Sequence, residues 1–187
     1  MKSESIWYAD VQQRLFRELV EAFSRPGNLR DLTPYLGGDT ALHAALAALL
    51  DGETTLADPH GCVTASDWQL LQCRREPAET ARYVAADGRR APNFQPTLGS
   101  LESPEFGATL LVEVEEIGRG DTTLDLIGSG IRGTARLSIT GLQPDWLTRL
   151  AEWNAGFPLG VDLVLTDANN IVALPRTTRI LQLKGEC

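Results

Sequence analysis

Lysine is nearly absent from this chain. Among its 187 residues only Lys2 and Lys184 are lysines, against 15 arginines. Neither is internal, so no lysine is placed for a Schiff base or a phosphate-binding loop. Cysteine is scarce as well. Cys62, Cys73 and Cys187 are odd in number and follow no pairing pattern. That points to reduced thiols rather than a disulfide framework. Long apolar runs are missing too. None approaches the about 20 residues a membrane helix needs, and the opening MKSESIWYADVQQRLF has no apolar signal core. These absences together predict a cytoplasmic protein. Positive charge is in deficit: the net charge is −8, which argues against nucleic acid or an anionic membrane as the main partner. A small anion is not excluded, because a local cluster can be positive on an acidic protein. The arginine excess fits a GC-rich genome, and it also fits the planar forks that hold phosphate and carboxylate.

Apolar residues make up 43% and charged residues 22%, ordinary values for a globular protein. A chain of this length buries about 70% of its unfolded surface and needs no metal or disulfide to fold. We expect one domain over residues 1–187.

The coarse pattern interleaves helices and strands. Val11, Leu15, Phe16, Leu19, Val20 and Phe23 recur at helical spacing between Asp10 and Ser24. Arg25-Pro26-Gly27 ends that helix. Asp39–Leu50 reads as a second helix, Thr54–Ala57 as a strand, and Ser66 with Gln69 as the capping box of a third helix. Tyr83–Ala86 reads as a strand, and Arg89–Gly107 as a long loop. Thr109–Ile117, Thr122–Ile127 and Thr134–Ile139 alternate like strands. Pro144–Asn154 reads as a fourth helix with Pro144 in its first turn. Two strands, Val161–Thr166 and Ile171–Leu174, flank the turn-forming Asp167-Ala168-Asn169-Asn170. The interleaving suits a mixed sheet covered by helices, an α/β fold.

Three motifs invite chemistry. Gly128-Ser129-Gly130-Ile131-Arg132-Gly133 spells the dinucleotide fingerprint, which needs a helix after it. Here Thr134–Ile139 reads as a strand, so a tight turn is expected, with free amides and Arg132 left as an anion holder. His60-Gly61-Cys62 offers two soft ligands where a closed zinc site needs about four, and His43, Cys73 and Cys187 are scattered. Metal is therefore not expected. Glu115 and Glu116 are strand neighbours that point to opposite faces and cannot converge on one substrate.

The last motif is GFPLGVDLVLTD at 156–167 with ALPRTT at 173–178. Asp162 interrupts an apolar strand, and a buried carboxylate needs a partner. Arg176, just past the neighbouring strand, can supply it. Either the pair locks the hairpin, or it belongs to a polar site with Pro175 and the hydroxyls of Thr177 and Thr178.

These C-terminal segments resemble the PhnH family. So do FRELVEAFSRPG at 16–27, LGSLESPEFGATLLVEV at 98–114 and LIGSGIRG at 126–133. The resemblance implies a subunit of the carbon–phosphorus lyase core complex, with the G, I and J subunits as partners and a homodimer when isolated. That complex makes ribose 1-phosphonate 5-triphosphate from ATP and a phosphonate, a transferase activity. The implied fold is a three-layer α/β/α sandwich like the large domain of pyridoxal-phosphate-dependent transferases, without the cofactor. The cleavage subunit carries an iron–sulfur cluster, which three scattered cysteines cannot hold. The resemblance carries no catalytic residue onto this chain. Arg25, Pro26, Gly27, Arg132, Asp162, Pro175, Arg176 and Thr177 are the candidates for a subunit interface or small-anion site. The chain is either an assembly subunit or a direct contributor to a composite nucleotide and phosphonate site.

Overall fold

A computed structural model describes residues 5–183; Lys2, Lys184 and Cys187 lie outside the described residues. Helix α1 spans Ala9–Ser24 and buries Val11, Leu15, Leu19 and Ala22. The expected stripe was wider. Phe16 and Val20 are 49% and 47% exposed. Each lies one residue, about 100° of helix rotation, past a buried leucine, which carries it onto the shoulder of the stripe. Strand β1 (Arg30–Asp31) and the short helix α2 (Thr33–Leu36) follow. Helix α3 (Ala41–Leu49) is apolar nearly all round and largely buried.

Strand β2 (Thr55–Ala57) leads to α4 (Ala65–Leu71), β3 (Arg74–Arg75) and β4 (Tyr83–Asp87). The capping box of α4 is Thr64 with Asp67, not Ser66 with Gln69. The Asp67 amide donates to Thr64 Oγ1 at 3.3 Å, and its carboxylate accepts from the Thr64 amide at 3.2 Å. An acid three residues past a threonine fits a helix start better than a glutamine past a serine, because the carboxylate also meets the positive helix end.

The expected loop at 89–107 is present, with one 3-10 turn at Pro104–Phe106. It is tied down by the Trp146 and Trp153 indoles, which donate to Arg90 O at 2.8 Å and Gln95 Oε1 at 3.2 Å.

The expected strand Thr109–Ile117 is two strands. Strand β5 (Thr109–Glu113) lies in one sheet, and β6 (Glu116–Ile127) opens in another. The change of sheet occurs where the Val114 amide donates to Thr166 O and the Glu115 amide to Thr140 O. Then come β7 (Ala135–Thr140), α5 (Asp145–Trp153), β8 (Asp162–Thr166), β9 (Asn170–Leu174) and β10 (Arg179–Leu183). Pro144 sits one residue before α5, at its cap.

The large sheet runs β1-β9-β8-β5-β4-β2-β3. Strands β3, β2, β4, β5 and β8 are parallel; β9 is antiparallel to β8, and β1, antiparallel to β9, runs in the same direction as those five. One face, with Ala85, Leu111 and Val164, packs against α1 and α3. The other face, with Val84, Leu110, Val112 and Leu163, packs against α5. That same core takes Leu124, Leu126, Leu137 and Ile139 from a second, antiparallel sheet ordered β10-β6-β7. The fold is mixed α/β as expected, but its third layer is one helix plus a small sheet. No helix among the described residues is long and apolar enough to cross a membrane.

Asp167 ties the two sheets together. Its carboxylate is 4% exposed and accepts from the amides of Asn169, Asn170 and Ile117 at 2.9, 2.8 and 3.0 Å. Asp167→Ala strands the buried Ile117 amide and removes the acceptor of two more exposed amides, so it is expected to lower stability by about 2 kcal/mol in urea unfolding. A loss below about 1 kcal/mol would show that this coupling is minor.

Candidate functional site

The expected Asp162–Arg176 pair is formed. Asp162 opens β8 and Arg176 leaves β9, so the hairpin register brings them side by side. Arg176 Nη2 lies 2.7 Å from Asp162 Oδ2, and Nε lies 3.3 Å from Oδ1. The Arg176 amide adds a third bond to Oδ1 at 2.9 Å. Both side chains are mostly covered, at 12% and 23% exposure. The remaining donor, Nη1, reaches Pro104 O at 2.7 Å and Pro158 O at 3.4 Å. The guanidinium therefore joins the hairpin to two loops.

Arg82 secures the same loop from the other side, donating to Gly107 O at 2.8 Å and to Glu105 O. Gly107 must be glycine for space. A Cβ there would collide with Gly160 O and come within 2.8 Å of Arg176 Nη1. Arg82 carried no sequence signal, because nothing before it marks a loop partner about 25 residues away.

The glycine motif is a turn between β6 and β7, with strands on both sides. It opens no helix, so it is not a dinucleotide site. Gly130 has a φ of +84°, and a Cβ there would meet Ser24 O at 2.7 Å and Pro26 at 2.8 Å. The turn is thus pressed onto the end of α1. The Gly27 amide donates to Ala173 O at 3.2 Å, and Gly128 lies against Thr177. Arg25, Pro26, Gly27, the turn bearing Arg132, and Thr177 therefore share one corner. Arg132 is exposed; Arg25 lies 3.8 Å from Glu21. Asp162, Pro175 and Arg176 form the adjoining lock.

Beside both lies a groove of about 820 Å³ between α5 and residues 174–181. Leu147, Leu150, Leu163 and Leu174 floor it, and Asn154, Thr177 and Arg179 add polar groups. Volumes of this size accommodate small organic ligands. Sequence reading missed Asn154 and Arg179, which lie outside the motifs that drew attention.

The remaining motifs are structural. His60 Nδ1 accepts from the Asp87 amide at 3.1 Å, and its Nε2 lies 3.4 Å from Asn93 Oδ1. His43 lies 3.4 Å from Asp67, away from His60 in sequence and partner. Among the described residues no three His, Cys, Asp or Glu side chains converge as a metal site would require. Glu115 and Glu116 are both exposed. Burial pushes the Cys62 thiol up to about 12, with the nearby carboxylates of Asp58, Glu113 and Asp87 adding to it.

Such an arrangement defines a mixed-sheet α/β protein whose best polar cluster knits its own loops together beside an open groove. The chain belongs to the family described as bacterial phosphonate metabolism protein (PhnH), whose model matches residues 5–181. It is 43% identical over 180 residues to a protein of Stutzerimonas stutzeri named putative C-P lyase subunit protein HtxG, covering 96% of this chain and 90% of that one. It is 31% identical over 179 residues to the alpha-D-ribose 1-methylphosphonate 5-triphosphate synthase subunit PhnH of Rhizobium meliloti (strain 1021), covering 90% and 89%.

The Cys62 environment gives a pH test. Its folded pKa is raised above the ordinary value of 9.0, so the unfolded chain releases the thiol proton first. Stability is therefore expected to fall as pH rises from about 9 towards about 12, and not below that range. Urea unfolding at pH 8 and pH 10 should show a steeper loss for the wild type than for Cys62→Ala. Equal losses would show that the thiol is not held neutral by the fold.

Proposed function

We propose that the chain is a subunit of the carbon–phosphorus lyase core complex, supporting formation of ribose 1-phosphonate 5-triphosphate from ATP and a phosphonate. The observation that carries this reading is the likeness, over nine-tenths of its length, to two proteins named as subunits of that lyase and that synthase. The geometry agrees, because the cluster best placed for chemistry is spent on the fold: each nitrogen of the Arg176 guanidinium has an internal partner. An assembly subunit needs no complete active site of its own. Its partners on this reading are the G, I and J subunits, and the isolated single-domain chain forms a homodimer in the cytoplasm. Five adjacent parallel strands between two covering layers support kinship with the large domain of pyridoxal-phosphate-dependent transferases.

The groove beside α5 favours one alternative, in which the chain adds a wall to a composite nucleotide or phosphonate site. Asn154, Thr177 and Arg179 would then supply donors in its lining.

Arg176→Ala separates the two. It leaves the Asp162 carboxylate partly buried without a cation, and is expected to cost about 2 to 3 kcal/mol, or about 5 to 10 °C in melting temperature. Below that temperature, reduced assembly with proportionally reduced activity supports the assembly role. Full assembly with activity abolished supports the composite site. A complex that forms without this chain and turns over normally overturns both.

A further inference from the structure

Three side chains stand out from the surface on two adjoining loops. Leu101, Phe106 and Phe157 are 78%, 64% and 66% exposed, more than any other large apolar residue among those described. They lie on two loops that Arg176 brings together, since its Nη1 donates to both Pro104 O and Pro158 O. Further bonds hold those loops still. Ser100 and Ser103 exchange backbone bonds around Leu101, the Gly160 amide donates to Leu98 O at 3.0 Å, and Arg82 holds Gly107 O. Loops that are this exposed and this apolar yet internally braced are prepared for contact, because the ordering cost of binding has been met by the fold.

We infer that this loop face, with Leu101, Phe106 and Phe157 as anchors, docks another protein that presents apolar pockets rimmed by lysine or arginine. The charge pattern selects the partner. Between Leu98 and Gly107 the loop carries Glu102 and Glu105, both exposed, and no cation; of the adjoining arginines, Arg82 is half-buried against the Glu105 and Gly107 carbonyls and Arg176 is paired with Asp162. A second copy of this chain, packed face to face about a two-fold axis, would set these carboxylates against themselves. A different subunit with a basic rim pairs with them, which sets register and speeds encounter. This inference rests on the subunit reading above and names the surface that serves it. The competing apolar face, Phe16 and Val20 on α1, is flanked by both Arg17 and Glu21 and so shows no charge preference.

The test uses the full chain with the other subunits of the core complex. Leu101→Ser/Phe106→Ser/Phe157→Ser should keep its melting temperature, since these side chains are already in water, and should lose at least about tenfold in affinity for the complex. Glu102→Lys/Glu105→Lys should also weaken binding, and should remove most of the salt dependence seen with the wild type. Phe16→Ser/Val20→Ser should assemble normally. A folded triple variant that assembles with wild-type affinity overturns the inference and leaves the subunit reading standing. So does a triple variant that assembles but no longer self-associates, which would make the occupant a second copy. Failure of the wild type to join any of the subunits removes the subunit reading and this inference with it.

Discussion

The Arg176 guanidinium is where four stretches of chain meet. It leaves β9, grips the carboxylate that opens β8, and reaches the carbonyls of Pro104 and Pro158. Only arginine does all of this at once. Its planar fork offers five donors in fixed directions, so two can face a carboxylate while others reach sideways. A lysine ammonium has three donors fanning from a single atom, so it could not lay two side-by-side bonds on the carboxylate and still reach both carbonyls. The pair is mostly removed from water, so its attraction is screened less than that of a surface pair, and its geometry matters more. Gly107 follows from the same constraint, since any side chain there would displace the guanidinium.

A second constraint runs through Asp167. The chain leaves the large sheet after β5 and enters the small sheet at β6, and that crossing has to be fixed in space. The Asp167 carboxylate does so by closing its own hairpin and holding the Ile117 amide at the same time. The small sheet then delivers its glycine turn to the end of α1, where Gly130 meets Ser24 and Pro26. Segments distant in sequence reach one corner because two carboxylates and one guanidinium fix the hairpin between them.

Much of this was legible in the sequence wherever one local pattern decided the outcome. Helices α1, α3 and α5 follow from apolar spacing, and the β8–β9 hairpin from an apolar pair around a turn. The Asp162–Arg176 lock was legible because a carboxylate in an apolar strand demands a cation within reach. The glycine motif was correctly read as a turn, because the following segment alternates. What failed depended on distant partners. Strands β1 and β3 are two residues each and exist only by pairing. The split of β5 from β6 is invisible to alternation, since buried Val112, Val114 and Ile117 carry an apolar pattern across the break and only the hydrogen-bond partners of Val114 and Glu115 mark it. Phe16 looked buried because periodicity gives a face, not the width of the surface that meets it. Within the candidate site, Arg82 and Arg179 carry no local signal at all.

On the docking inference, the exposed loop face gives the lock a purpose beyond stability. A hairpin can be closed by turn residues alone, as Asp167 and Asn170 already show at the other end of β8 and β9. The Asp162–Arg176 pair closes the open end of the same hairpin, and it also adds the Pro104 and Pro158 carbonyls to one rigid unit. Those carbonyls belong to the loops that carry Phe106 and Phe157. An arginine placed to fix the loops, rather than to meet a ligand, sets its charge inward and leaves apolar groups outward. That polarity distinguishes a residue that positions an interface from one that binds an anion. An anion-binding arginine keeps donors free for its ligand, whereas each nitrogen of the Arg176 guanidinium already serves an acceptor of the fold.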